Sequence, residues 1–281
     1  IIGFAILKPK NKKGTCWEIK LSDLIKDLNQ INKKQIYQSV LKRAINLKND
    51  QAHSWVVKCE VVNIDQISIA RELGFQPLKL YKSWRRNDNG KDSQDNSIDL
   101  PEDFEWQHMK DINVSFIWSL VKAGESQHLR QILDRNYTDL LLEKARGCGM
   151  MVQKSRSDSA IISIIGSSDS MPHKTLEIIR GMAWDGRINY LLPWILQNLN
   201  TNYLSLSLES SSEDNYLNEC LISNGWVFET EKMLLGRTLW KRQSSKGIIK
   251  GAKSIESMIE RLQPQSPPLP TPTQGRSYKD V

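Results

Sequence analysis

Cysteine, histidine and lysine are the side chains through which this sequence could do chemistry, and their spacing narrows the choice. Cys16, Cys59, Cys148 and Cys220 stand far apart with no CxxC pair, and His53, His108, His128 and His173 are equally scattered. Zinc binding needs ligands bunched a few residues apart, and a disulfide scaffold needs a dense, even set of cysteines. Neither pattern occurs, so the thiols read as reduced core residues of a cytoplasmic protein, and no metal site is expected. Basic residues do gather. Residues 1–86 hold 17 basic and 7 acidic side chains, more than enough to account for the net charge of +7. Such a surplus attracts a phosphate-bearing cofactor, an acidic partner or nucleic acid. Trp55, Trp84, Arg85 and Arg86 supply aromatic and cationic groups for the last of these, although both tryptophans fall in expected strands, where a core role is simpler. No nucleic-acid motif accompanies them.

The elements that carry these residues repeat. "WVVKCEVV" (55–62) reads as a strand, "QISIAREL" (66–73) as a helix that Asn63 or Asp65 caps, Gly74 as its stop, and "FQPLKLYKSW" (75–84) as the next strand. The unit returns later as strand "NYLSLSLES" (202–210), helix "EDNYLNECLIS" (213–223), Gly225-Trp226 and strand "EKMLLGRTLW" (231–240). Gly74 and Gly225 are 151 residues apart, which reads as an ancient duplication. Upstream of each unit lie a helix (35–47 and 187–199) and a strand (15–22 and 175–184).

The second copy is the fuller one. A first strand (104–110), one or two helices (113–145) and an antiparallel pair, "GMMVQK" and "SAIISIIGS", precede its repeat unit. The expected fold is therefore α/β (α+β): two tandem domains, each a mixed, mostly antiparallel sheet flanked by helices, the first truncated at its start. The boundaries follow from composition: a partial domain at 1–86, an acidic polar linker at 87–103, a second domain at 104–243 and a mobile Pro-rich tail at 244–281. Ile1 in place of Met, and a strand beginning almost at once, read as a chain that starts inside a longer protein. A PxxP spacing at Pro267 to Pro270 fits an SH3-like groove, and no apolar run approaches the ~20 residues a membrane-spanning helix needs.

That order, with "NIDQISIARELGF" (63–75), resembles the GNAT superfamily of N-acetyltransferases, over 1–84 in part and 104–242 nearly whole. The resemblance implies a V-shaped opening between the fourth and fifth strands that admits acetyl-CoA as co-substrate. The pyrophosphate would rest on backbone N–H groups at the start of the following helix, where unpaired donors and a positive dipole end favour an anion. Laid on the family's phosphate pattern, the first copy reads Lys33-Lys34-Gln35-Ile36-Tyr37-Gln38, with no glycine. The second reads Ala183-Trp184-Asp185-Gly186-Arg187-Ile188, with glycine only at Gly186, and carries Pro193 inside the helix. The resemblance thus assigns cofactor binding to Lys33, Lys34, Gln35, Ile36, Tyr37, Gln38 and Asn63 of the first copy and makes the second the poorer site.

Family members often use a Glu on the fourth strand as base, acting through water. Glu18 stands on the matching strand of the first copy and Glu177 on that of the second. The Tyr that commonly serves as acid is replaced by Ala70 and Leu221, which leaves Tyr37 and Tyr81 as substitutes. The activity implied is acetyl transfer to an amine of a small molecule or protein, with the second domain degenerate. Two alternatives stay open: a non-catalytic module for an acidic partner or nucleic acid, and a mainly structural pair of halves packed through each other's sheet edges.

Overall fold

The computed structural model describes residues 4–21, 30–47, 51–86, 98–143, 147–169, 174–181, 185–200 and 206–239. A second unit, Trp240–Val281, lies outside them and takes the PxxP spacing with it, and most of the expected linker lies outside as well.

The first half runs β1 (Ala5–Pro9), β2 (Cys16–Leu21), α1 (Gln30–Ile45), β3 (Ser54–Glu60), α2 (Ile64–Glu72) and β4 (Gln76–Arg86). The second runs β5 (Phe104–His108), α3 (Val114–Gly124), α4 (Gln127–Leu133), a 3₁₀ turn (Tyr137–Glu143), β6 (Gly149–Gln153), β7 (Arg156–Asp169), β8 (Lys174–Arg180), α5 (Ile188–Asn200), β9 (Leu206–Ser211), α6 (Asn215–Ser223) and β10 (Trp226–Thr238). Helices α2 and α6 both stop at a glycine in the left-handed region, Gly74 at φ 85° and Gly225 at φ 78°, a conformation that a Cβ disfavours. The duplicated punctuation therefore has a backbone cause.

Among the described residues the strands form one ten-stranded sheet in the order β1-β2-β3-β10-β4-β9-β8-β7-β6-β5. Strand β10 lies between β3 and β4, and β4 lies between β10 and β9, so each half gives its last strand to the other. The exchange rests on length: β4 has 11 residues and β10 has 13, and they pair antiparallel from Trp226↔Arg86 to Gly236↔Gln76. Backbone ladders are chemically alike whichever half supplies them, so sequence pattern assigns each half a sheet of its own where the fold joins the two.

Alternation along β3 sorts the layers. Trp55, Val57 and Cys59 pack with Leu41 and Ala44 of α1 and with Ile69 and Ala70 of α2 on one face. Val56 points to the other face, where it meets Cys16, Tyr81 and Leu234 beneath Leu129, Ile132 and Leu133 of α4. Helix α4 belongs to the second half but roofs the first. Its last carbonyls, which an isolated helix leaves bare, accept from Ser54 Oγ (to Ile132, 2.7 Å) and Asn11 Nδ2 (to Leu133, 3.0 Å). Gly236 keeps the floor flat, since a Cβ there would sit 2.4 Å from Leu78 Cδ1 and 3.1 Å from Ile132 Cδ1.

Candidate active site

Parallel pairing between β2 and β3 runs from Cys16↔Ser54 to Ile19↔Val57 and stops, although β2 continues to Leu21 and β3 to Glu60. The strands part at their carboxyl ends. A cavity of about 400 Å³ opens there, walled in the first half by Glu18, Lys20, Lys58, Glu60, Asn63 and Gln66. The second half adds Thr175, Glu209 and Lys232.

Glu18 follows Cys16 at a two-residue step on β2, so its side chain takes the α4 face of the sheet. It is only 7% exposed, and its Oε2 has no hydrogen-bond partner among the described residues; Lys10 Nζ stands 3.6 Å away. A buried carboxylate oxygen without a hydrogen-bond donor is costly, and the Lys10 ammonium is the charge that offsets it.

Opposite it stands an ion cluster shared between the halves. Glu209, its side chain 1% exposed, accepts from Lys58 Nζ at 2.7 Å on one oxygen and from Lys232 Nζ at 3.2 Å on the other. Burial works against the Lys58 charge, but Glu209, then Tyr81 and Glu177, outweigh it and hold the ammonium above its ordinary range. Lys58 also lies 4.3 Å from the Tyr81 ring centroid, and Lys79 stands 4.6 Å from it. Burial, with Glu177 next, pushes the Tyr81 phenol well above its usual value, so the ring stays neutral between its two cations. Burial also pushes the Cys59 thiol, on the cavity rim, up to about 12, which makes it a poor nucleophile.

Of the sequence-assigned site residues, Glu18 and Asn63 meet on this cavity. The other six do not. Helix α1 begins at Gln30, upstream of the expected start, so Lys34 to Gln38 have their N–H groups inside the helix ladder rather than bare at its end. Lys34 pairs with Glu72 of α2 at 3.2 Å on the surface, and Tyr37 packs against the core beneath α1. Lys33, Gln35, Ile36 and Gln38 are likewise helix residues away from the cavity. Residues 22–29, which lead into α1, lie outside the described residues. Tyr81 is buried in the cluster, not on the cavity wall. Trp55 and Trp84 are core residues, 3% and 1% exposed, and Trp84 Nε1 donates to Ser210 Oγ at 2.8 Å, so neither offers a face for stacking on a base.

Glu177 is not the counterpart of Glu18. Glu18 faces Val56 and Thr175 faces Ser207, and Val56 and Ser207 are themselves 151 residues apart, so Thr175 holds the matching place. Glu177 matches Lys20 and is bound by Lys79 Nζ at 3.2 Å.

The second copy parts its strands as well: β8 and β9 pair only to Glu177↔Glu209, while β8 runs on to Arg180 and β9 to Ser211. Here side chains tie the end together. The Arg180 guanidinium donates to Asp214 from Nε (2.9 Å) and Nη2 (2.7 Å) and to the Gly181 carbonyl from Nη1 (2.9 Å). Asp214 also caps α6 by accepting from the Leu217 N–H at 3.1 Å. Its counterpart Asn63 makes no capping hydrogen bond on α2.

The sequence reading missed Lys58, Glu209 and Lys232. A signal was present, because Lys58 and Glu209 are separated by the same 151 residues as the paired glycines and carry opposite charge at equivalent places.

No protein-family model matches the sequence, and no curated protein does. Solved structures do. A GCN5-related N-acetyltransferase from Sphaerobacter thermophilus aligns at TM-score 0.51 and 10% identity over 84% of this chain and 76% of that one. A Drosophila protein solved as a structural-genomics target aligns at TM-score 0.53 and 9% identity over 84% of this chain and 74% of that one. A tandem GNAT protein from the clavulanic acid biosynthesis pathway is a neighbour at TM-score 0.46 and 9% identity, over 80% of this chain and 75% of that one. The fold is GNAT-like: a mixed sheet flanked by helices.

Proposed function

We propose that the chain is an acyl-CoA-dependent N-acetyltransferase that works at the β2–β3 opening, with its second opening out of use. The observation that carries this reading is the parting of β2 and β3: their parallel pairing stops short of the strand ends, and a cavity with Glu18 on its wall opens there.

The residues present fit the co-substrate in kind. An extended amide chain can lie between parted strands through the same hydrogen-bond chemistry that joins strands, and the wall offers Lys20, Lys58 and Lys232 beside Glu18, Glu60 and Glu209. Asn63 and Gln66, at the start of α2, would hold the amide portion. Acetyl-CoA supplies a thioester activated toward a nucleophile. Glu18 accepts the proton that the acceptor amine gives up as its nitrogen bonds to the acetyl carbon and the C–S bond breaks. The departing thiolate has an ordinary thiol pKa near ~8.5 and takes its proton from solvent.

Thermal unfolding with and without acetyl-CoA tests this directly. At a hundred times its Kd the ligand should add ~2.7 kcal/mol of apparent stability. Release of free thiol in the presence of an amine should follow. No shift in a folded sample at millimolar acetyl-CoA overturns the reading.

A further inference from the structure

A second cavity, of about 510 Å³, lies at the far edge of the sheet, where α5 runs beside β5. Trp106 and His108 of β5 line it on one side and Trp194 and Asn198 of α5 on the other, with the buried Ile195 and Leu199 closing it toward the core. Two periods explain its place. Alternate residues of β5 share a face and advance ~6.8 Å, while residues four apart on α5 share a face and advance ~6 Å, so the two elements meet in rungs. Phe104 meets Tyr190 with ring centroids 5.9 Å apart, and Trp106 meets Trp194 at 6.4 Å. The third rung would join His108 to Asn198, and it stays open. The His108 ring makes no hydrogen bond among the described residues, and the Asn198 amide donates back to the Trp194 carbonyl at 2.9 Å.

Trp106 is held from behind. Its indole lies so close over Gly149 that a Cβ there would sit 2.8 Å from Cζ2 and 2.9 Å from Cε2, so any side chain at that position displaces the ring. Neither the Trp106 nor the Trp194 indole N–H donates a hydrogen bond among the described residues, and neither nitrogen is sealed in the core. The described wall carries no Asp, Glu, Lys or Arg, whereas six such side chains stand around the β2–β3 opening.

We infer that this cavity is a second ligand site, and that it takes a small, flat, uncharged heteroaromatic compound whose ring edge accepts hydrogen bonds. Two indole faces favour a flat ring in stacked or edge-on contact, and two idle N–H donors beside an imidazole favour acceptor atoms on its edge. An ionised ligand would leave water for a wall with no fixed charge to meet it. A few polar groups set in aromatic and aliphatic surface is the usual make-up of a small-molecule pocket. Seven strand spacings of ~4.8 Å separate β3 from β5, which puts this site roughly 30 Å across the sheet from the β2–β3 opening. It therefore stands independently of the acetyltransferase reading.

The test uses the full chain with ¹⁵N-labelled tryptophan, so that nine indole N–H signals are followed while quinoxaline, a flat neutral ring with two acceptor nitrogens, is titrated to millimolar concentration. Trp106→Phe and Trp194→Phe each delete one signal and so assign the pair. Both assigned signals should move along one saturable curve while the others stay in place. Indole, a ring of similar size with no acceptor nitrogen, should bind about tenfold more weakly, the worth of a hydrogen bond, and choline should leave the pair unmoved. His108→Ala, at an exposed position, should weaken quinoxaline several-fold with the spectrum otherwise intact. Stationary Trp106 and Trp194 signals, or shifts as large with indole or choline, overturn the site. Acetyl-CoA binding is read separately by thermal unfolding, so either reading can fail without the other.

Discussion

The β2–β3 and β8–β9 openings begin alike, with parallel pairing that stops short of the strand ends, and they are finished in opposite ways. In the first, Asn63 makes no capping bond and Glu18 Oε2 accepts no hydrogen bond, with Lys10 Nζ 3.6 Å away. In the second, Asp214 serves both Arg180 and the α6 backbone. An opening tied by its own side chains is a joint, while one lined by unspent polar atoms is a site. Duplication gave two chances at the same geometry, and the side chains at three or four positions separate one outcome from the other.

The sharpest way to break that comparison is to neutralise one carboxylate in each copy. Glu18→Gln should lower kcat by ~10²- to 10⁴-fold with acetyl-CoA binding retained, the range for loss of a general base. Glu177→Gln should leave kcat as it is, because that residue is held by Lys79 away from the Glu18 register. Equal losses in a thiol-release assay would mean that the copies are not distinguished as described.

A second comparison reads stability in chemical denaturation. Arg180→Met leaves the part-buried Asp214 carboxylate facing a hydrophobe and should cost about 2 kcal/mol. Asn63→Ala removes no capping bond and should stay within ~0.5 kcal/mol. Comparable costs would place a hidden structural role at the first opening.

The smallest effect concerns the cluster between the openings. The folded-state pKa of Tyr81 is raised, chiefly by burial, so the folded chain keeps a proton that the unfolded chain loses above pH ~10. Its contribution is whole below that pH and is lost as pH rises beyond it, by at most ~1.4 kcal/mol per unit. Tyr81→Phe should flatten the alkaline limb of a Tm-against-pH curve. An unchanged limb would assign the loss to Lys58 and the buried Cys59 thiol, whose raised values act with the same sign.

The elements and their order were legible because periodicity and glycine punctuation are local: the strand "WVVKCEVV", the stop at Gly74 and its echo at Gly225 each follow from neighbours in sequence. Glu18 and Asn63 were reachable by resemblance. The helix start was not, since nothing in "NQINKKQIY" (29–37) marks Gln30 over Lys33 as the first helical residue. The lysine wall was hidden for a different reason. Lys58, Glu209 and Lys232 meet only after two strands change places, and pairing between distant strands leaves no trace in composition or period.

That exchange also sets the order in which the molecule can be completed. As the chain is synthesised, the first half leaves the ribosome with a slot in its sheet between β3 and β4, and the strand that fills it, thirteen residues from Trp226 to Thr238, is made only after the entire second half. Until then the edges of β3 and β4 that β10 joins have only water to pair with. The sheet is closed like a clasp by β10, which holds both of these edges at once.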